Sequence, residues 1–163
     1  MTFFDYSETV EIVPEFGICD NKTEKEKPAF LLYDNKEAWN AVVVSENKTD
    51  FNFIAVDNNI PYSDKKGNEK KRCDAMLWTS NSVVFIELKD QARDWLDKAI
   101  EQLKSTIEYF DNVDGLNKFK FKKAYVCNKA RPFFNYQFKD RIQQFYNETG
   151  VNLRTEVLIK NIQ

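Results

Sequence analysis

Two short runs, 73–78 (Cys-Asp-Ala-Met-Leu-Trp) and 83–88 (Val-Val-Phe-Ile-Glu-Leu), flank the polar segment Thr79-Ser80-Asn81-Ser82. Both are apolar, aromatic or β-branched enough to be strands, and the polar segment is turn-forming, so the stretch predicts a β-hairpin. A loop of two residues or of four gives the same register: Trp78 opposite Val83, Asp74 opposite Glu87, and Arg72 opposite Lys89. Side chains alternate along a strand, so Asp74, Glu87 and Lys89 fall on one face. Both strands are apolar on both faces, which predicts a central, covered position in a sheet.

Directly opposed carboxylates roughly 5 Å apart repel by about 3 kcal/mol even at an effective dielectric near 20. A purely structural hairpin gains nothing from such a pair. A divalent cation between the acids turns the repulsion into binding energy, and hard oxygen donors suit Mg²⁺, Mn²⁺ or Ca²⁺. The stretch therefore predicts a metal site with a lysine beside it.

Composition narrows the chemistry further. The 163 residues contain no histidine, which excludes Ser-His-Asp and Cys-His catalysis, histidine zinc sites and histidine general bases together. Cys19, Cys73 and Cys127 are odd in number and lack CxxC spacing, so reduced, buried thiols are expected and not a disulfide framework or zinc site. With 24 basic and 26 acidic residues, the chain has no strong overall attraction to nucleic acid, and binding would need a local basic patch. Its length, 42% hydrophobic and 15% aromatic content predict one domain over 1–163. No apolar run approaches a membrane span and no signal-peptide pattern is present, which predicts a soluble cytoplasmic protein without a membrane partner.

Along the chain, 9–13 and 29–33 read as short strands, with Pro14 and Gly17 breaking the pattern after the first. The runs 39–45 and 51–56 flank a polar segment and read as a second hairpin, with a helix over 36–43 as the competitor. Asp57 closes the second run and reads either as a neighbour of the acid pair or, more simply, as a turn aspartate before Asn58-Asn59. The connector 63–72 is rich in lysine and ends in Lys70-Lys71-Arg72. It reads either as a solvated loop or as a contact to a phosphate backbone. An apolar stripe at Ala92, Trp95, Leu96, Ala99, Ile100, Leu103, Ile107 and Phe110 predicts a helix over 92–110 that lies across a sheet, with Gln102 at its edge within reach of the hairpin. A strand over 119–127 begins with a basic half, where Lys120 and Lys122 are further candidates for phosphate contact. A helix over 136–147, ended by Gly150, and a strand over 151–159 complete the chain.

The order of these elements, with Asp74 on one strand, Glu87-Leu88-Lys89 on the next and a helix after it, resembles the PD-(D/E)XK phosphodiesterase superfamily. The resemblance covers approximately residues 51–127, with Cys73 where the motif's proline would stand and Thr106 four residues after Gln102. It implies a restriction-endonuclease-like α/β fold: one mixed central sheet of about 5–7 strands flanked by helices. N-terminal strands would fill 1–50, with the core in about 51–163. It implies that Asp74, Glu87 and the Leu88 carbonyl hold Mg²⁺ or Mn²⁺, that Lys89 orients or activates a water, and that Gln102 belongs to the catalytic set. Glu37 would be a further acid if its segment were helical. The function implied is phosphodiester hydrolysis in DNA, or less readily RNA. A homodimer or an accessory DNA-binding partner would help so small a core hold its substrate. The alternative is a chain with the same fold that binds or assembles without cutting.

Overall fold

The computed structural model describes residues 2–21, 26–46, 48–62, 67 and 71–163. The elements in order are β1 (Glu8–Thr9), β2 (Glu15–Cys19), β3 (Phe30–Leu32), β4 (Ala41–Val44), β5 (Asn52–Ala55), β6 (Ala75–Trp78), β7 (Ser82–Lys89), α1 (Leu96–Val113), β8 (Phe121–Asn128), α2 (Lys139–Thr149), β9 (Asn152–Arg154) and β10 (Leu158–Ile159). Short 3-10 turns occupy Phe3–Tyr6, Lys36–Ala38 and Tyr136–Phe138.

A six-stranded sheet in the order β1-β5-β6-β7-β8-β9 is the centre of the fold. It is antiparallel from β1 to β7 and parallel from β7 to β9, with α1 and α2 as the crossovers that parallel pairing requires. This is the mixed, helix-flanked sheet that the sequence predicts. The β6–β7 register also agrees, with Trp78 opposite Val83 and Ala75 opposite Ile86.

Alternation sorts the side chains of β7 between two cores. Val83 and Phe85 pack with Leu96, Ala99, Leu103 and Phe110 of α1 and with Phe145 of α2. Val84, Ile86 and Leu88 point the other way, against Phe16, Ile18 and Val43. That second core is roofed by a four-stranded sheet, β10-β4-β2-β3, which the sequence reading does not anticipate.

Three local expectations are corrected by this second sheet. The proposed hairpin of 39–45 with 51–56 does not form: β4 is bonded on its two edges by β2 and β10, and β5 by β1 and β6, so neither has an edge left for the other. The stretch around Pro14 and Gly17 is β2 rather than a break. Pro14 sits just outside the strand, where its carbonyl accepts from the Ser45 N–H at 2.8 Å, a position that needs no N–H from proline. Finally, 151–159 is two strands, split at Thr155, with β9 in the first sheet and β10 in the second.

The helix α1 begins at Leu96, four residues later than its apolar stripe, because 92–94 are bends and Asp94 has a positive φ of 53°. Thr106 interrupts the stripe yet is fully buried. Its hydroxyl accepts from the Cys73 N–H at 2.8 Å and lies 3.2 Å from the Tyr62 hydroxyl, so it tethers the start of the hairpin to the helix. Thr106→Val keeps the shape and strands a buried N–H, with an expected cost of about 1–3 kcal/mol. Thermal denaturation should show a lower midpoint with an unchanged far-UV spectrum; an unchanged midpoint would mean the tether is dispensable. The three cysteines are free and buried as expected, and burial pushes each thiol up, which makes them poor nucleophiles. No helix among the described residues is long and apolar enough to cross a membrane.

Candidate active site

The hairpin ends beside α1, and there the structure collects Asp74, Glu87, Lys89 and Gln102. Asp74 lies one residue before β6. Its carbonyl accepts from the Val56 N–H at 2.9 Å, and its N–H donates to the Ile86 carbonyl at 3.1 Å. The counted pairing gives Glu87 as its partner, so the ladder shifts by one residue here. The side chain turns back to the same strand: Asp74 Oδ2 accepts from the Leu88 N–H at 2.7 Å.

Glu87 is only 2% exposed, and its carboxyl comes within hydrogen-bonding reach of the Asp74 carboxyl. Lys89 Nζ sits 3.3 Å from Glu87 Oε2 and donates to Gln102 Oε1 at 3.1 Å. Gln102 Nε2 in turn donates to the Arg72 carbonyl at 3.2 Å. Gln102 thus joins the lysine to the entry of the hairpin, and its amide fixes the direction in which the ammonium points.

Electrostatics here follow from burial. Desolvation pushes the Asp74 carboxyl up to about 6, against smaller opposing contributions from Glu87 and the Leu88 N–H, while Asp20 and Asp57 add to the rise. Glu87 is raised well above the ordinary carboxylate range, first by desolvation and then by Asp74, with Lys89 opposing. One oxygen, Glu87 Oε1, is buried without a hydrogen-bond partner. A buried, unpartnered carboxylate oxygen beside a second carboxylate is costly as it stands. A divalent cation satisfies both, and the donors present are the hard oxygens that Mg²⁺ and Mn²⁺ take. Among the described residues no group of three or more His, Cys, Asp or Glu side chains is arranged around a metal position. An ion here would therefore rest on two carboxylates with backbone and water oxygens, which is the usual habit of Mg²⁺. The third expected ligand, Leu88, contributes its N–H to Asp74, and its side chain packs in the second core.

Two further acids border the site, Asp57, which the sequence offers as a possible neighbour, and Asp20, which it does not. Asp20, at the end of β2, and Asp57, after β5, line a cleft of about 300 Å³ with Asn58, Lys27 and Asp74. Both readings of Asp57 hold: it is a turn residue and it faces this cleft, because β5 ends at the level where β6 begins. Asp20 follows β2, which the sequence reads as a break in the pattern. Glu37 is exposed on a single 3-10 turn and not on a helix.

The candidates for phosphate contact fare differently. Lys70 lies outside the described residues. Lys71 is exposed and paired with Glu101. Arg72 is turned inward instead of facing Lys89: it is 9% exposed, donates from Nη2 to the Tyr62 carbonyl at 2.7 Å, and lies 4.5 Å from the Tyr62 ring centroid. Lys120 precedes β8 and Lys122 pairs with Val83, whereas Glu87 pairs with Val126. Four residues of strand are about 13 Å, so these two lysines occupy the opposite end of the sheet from the acid pair. Basic residues nearer to the acids follow the other end of β8, at Lys129 and Arg131. No family model matches this sequence, and comparison with curated proteins and with solved structures finds no match to it either.

Proposed function

We propose that the chain is a metal-dependent nuclease of the PD-(D/E)XK type, hydrolysing phosphodiester bonds in DNA or RNA at the end of the β6–β7 hairpin. The observation that carries this reading is the buried acid pair with an orphaned oxygen, Glu87 Oε1 beside Asp74, and a lysine held against it. Asp74 and Glu87 would hold Mg²⁺ or Mn²⁺ with the Leu88 carbonyl. Such an ion supplies a Lewis acid for the phosphoryl oxygens and lowers the pKa of a bound water.

The remaining roles belong to the chain itself. Lys89, 12% exposed at its side chain and directed by Gln102, presents an ammonium to a phosphoryl oxygen or to the attacking water, where developing negative charge is stabilised. Gln102 is a positioning residue, since it acts through Lys89. The low exposure of Glu87 and Lys89 strengthens each charge–charge interaction in the site. None of these roles needs histidine.

The test is incubation of the protein with plasmid, single-stranded DNA and RNA in Mg²⁺ or Mn²⁺, beside Lys89→Ala. Cleavage is expected from the wild type, with loss in EDTA and a fall of about 10²–10⁴-fold in the variant. If both proteins are equally inactive on every substrate and calorimetry detects no metal binding, the nuclease reading is wrong.

A further inference from the structure

Two segments leave the sheet beside the acid pair: 90–95 after β7 and 129–138 after β8. Asn128, fully buried, joins them. Its side chain accepts from the Gln91 and Ala130 N–H groups at 3.1 Å each and donates to the Gln91 carbonyl at 2.7 Å. The Lys129 N–H also donates to the Lys89 carbonyl at 2.9 Å. Together the segments line a cleft of about 770 Å³. The crevice outside the carboxyl ends of parallel strands is where open α/β sheets place their ligands.

The lining is unusual for a surface left to water. Phe133 and Tyr136 are 84% and 82% exposed, the most exposed large apolar side chains among the described residues, and Phe134 is 41% exposed. The loop that carries them is held in place. The Val157 N–H donates to the Pro132 carbonyl at 3.1 Å, Asn135 caps the turn through the Gln137 N–H at 2.9 Å, and the Phe134 and Tyr136 rings meet edge to face at 5.3 Å. Exposed Arg93 and Arg131 stand among the rings, with Asp94 the single acid in the lining. Beside Ala92, Ala130 and Pro132, the apolar part is aromatic, without Leu, Ile, Val or Met. Flat rings interleaved with guanidinium groups suit bases and phosphates.

We infer that this cleft is a stacking platform for unpaired nucleobases, so that the substrate reaches the acid pair as a single strand. Phe133 and Tyr136 take the base faces, and Arg93 and Arg131 take the phosphates or stack beside the rings. Bases within a duplex are already stacked on each other and cannot use these rings. Ala92, where the cleft starts, is five residues beyond Glu87, no more than about 18 Å of extended chain. A strand a few nucleotides long spans that distance. The inference rests on the nuclease reading for the identity of the ligand, and its test separates the two.

Binding of a labelled oligothymidylate and of a blunt duplex of equal length is measured by anisotropy in Mg²⁺. Asp74→Asn serves as the background, so that the strand is not cut, and Phe133→Ala and Tyr136→Ala are added to it. The expected result is single-strand binding at least tenfold tighter than duplex binding, a loss of about tenfold for each ring removed, and unchanged thermal midpoints. Equal affinity for duplex, or ring removal without effect on the single strand, overturns the inference. So does a change from dimer to monomer on ring removal, which would make a second copy of the chain the occupant. Ring-dependent binding by a wild type that cuts nothing keeps the platform and removes the nuclease. Cutting that ignores the rings does the reverse.

Discussion

Asp74→Asn is expected to abolish the metal-dependent cleavage proposed above and, in the absence of metal, to make the protein more stable at pH 8. The loss of cleavage, about 10²–10⁴-fold or more, follows from removing one of two carboxylates that would hold the ion. The gain in stability follows from proton linkage. In the unfolded chain both acids titrate near pH 4. In the fold, burial pushes Asp74 up to about 6, and Glu87 is raised well above its ordinary range. Between these values the native state binds more protons than the unfolded one. Stability of the metal-free wild type therefore falls as pH rises through about 4 to 6, continues to fall while Glu87 titrates, and is regained on acidification. Asparagine carries no charge to desolvate, and its oxygen can still accept from the Leu88 N–H. A rise to about 6 corresponds to on the order of 3 kcal/mol, so the variant should outlast the wild type at pH 8 and match it near pH 4. Mg²⁺ should stabilise the wild type at pH 8, by about 2.7 kcal/mol at a hundredfold excess over its dissociation constant, and leave the variant unchanged. Denaturant titrations at the two pH values, with and without Mg²⁺, read all of this. A variant less stable than the wild type at pH 8 would mean that the acid pair is a structural contact.

Gly17→Ala has the largest expected effect on folding. A Cβ on Gly17 would come within 2.1 Å of Trp39 Cγ and 2.3 Å of Trp39 Cδ2. Trp39 cannot yield cheaply: it is 4% exposed, and its indole N–H donates to the Asp34 carbonyl at 2.7 Å. Displacing it uncovers the ring, breaks that bond and disturbs β2 between β3 and β4. A cost of about 3–5 kcal/mol is expected, comparable to losing a buried aromatic side chain. A double-mutant cycle checks the cause. In a Trp39→Ala background the glycine substitution should cost under about 1 kcal/mol, and additive costs would exclude the ring as the reason.

These two positions also show what a sequence can and cannot disclose. Asp74, Glu87 and Lys89 are legible as one group because turn and alternation follow from a single stretch, although the counted pairing of Asp74 with Glu87 gives way to a one-residue shift. Gln102 was legible from helical period alone. The second sheet was not. β2 contains a glycine and follows a proline, marks that normally end a strand, and only the presence of Trp39 explains the glycine. The β4 and β5 runs each look like the other's natural partner, and the choice against that pairing is made by β1, β2, β6 and β10, all distant along the chain. The same distance effect misplaced Lys120 and Lys122: their charge was plain, but parallel pairing with β7 put them at the far end of the sheet.

Among the described residues, the side-chain hydrogen bonds and the ion pair that link the acids, the lysine and the glutamine fall between Arg72 and Gln102. The second sheet, in contrast, ties β2, β3 and β4 to β10, from the two ends of the sequence. Contacts close in sequence form early, and distant ones form late. The candidate site is thus local and its clasp is not: hairpin and helix bring the acids, the lysine and the glutamine together, and the second sheet covers the apolar back of β7. The second core, which includes Ile159 of β10, is complete only when that last strand is in place.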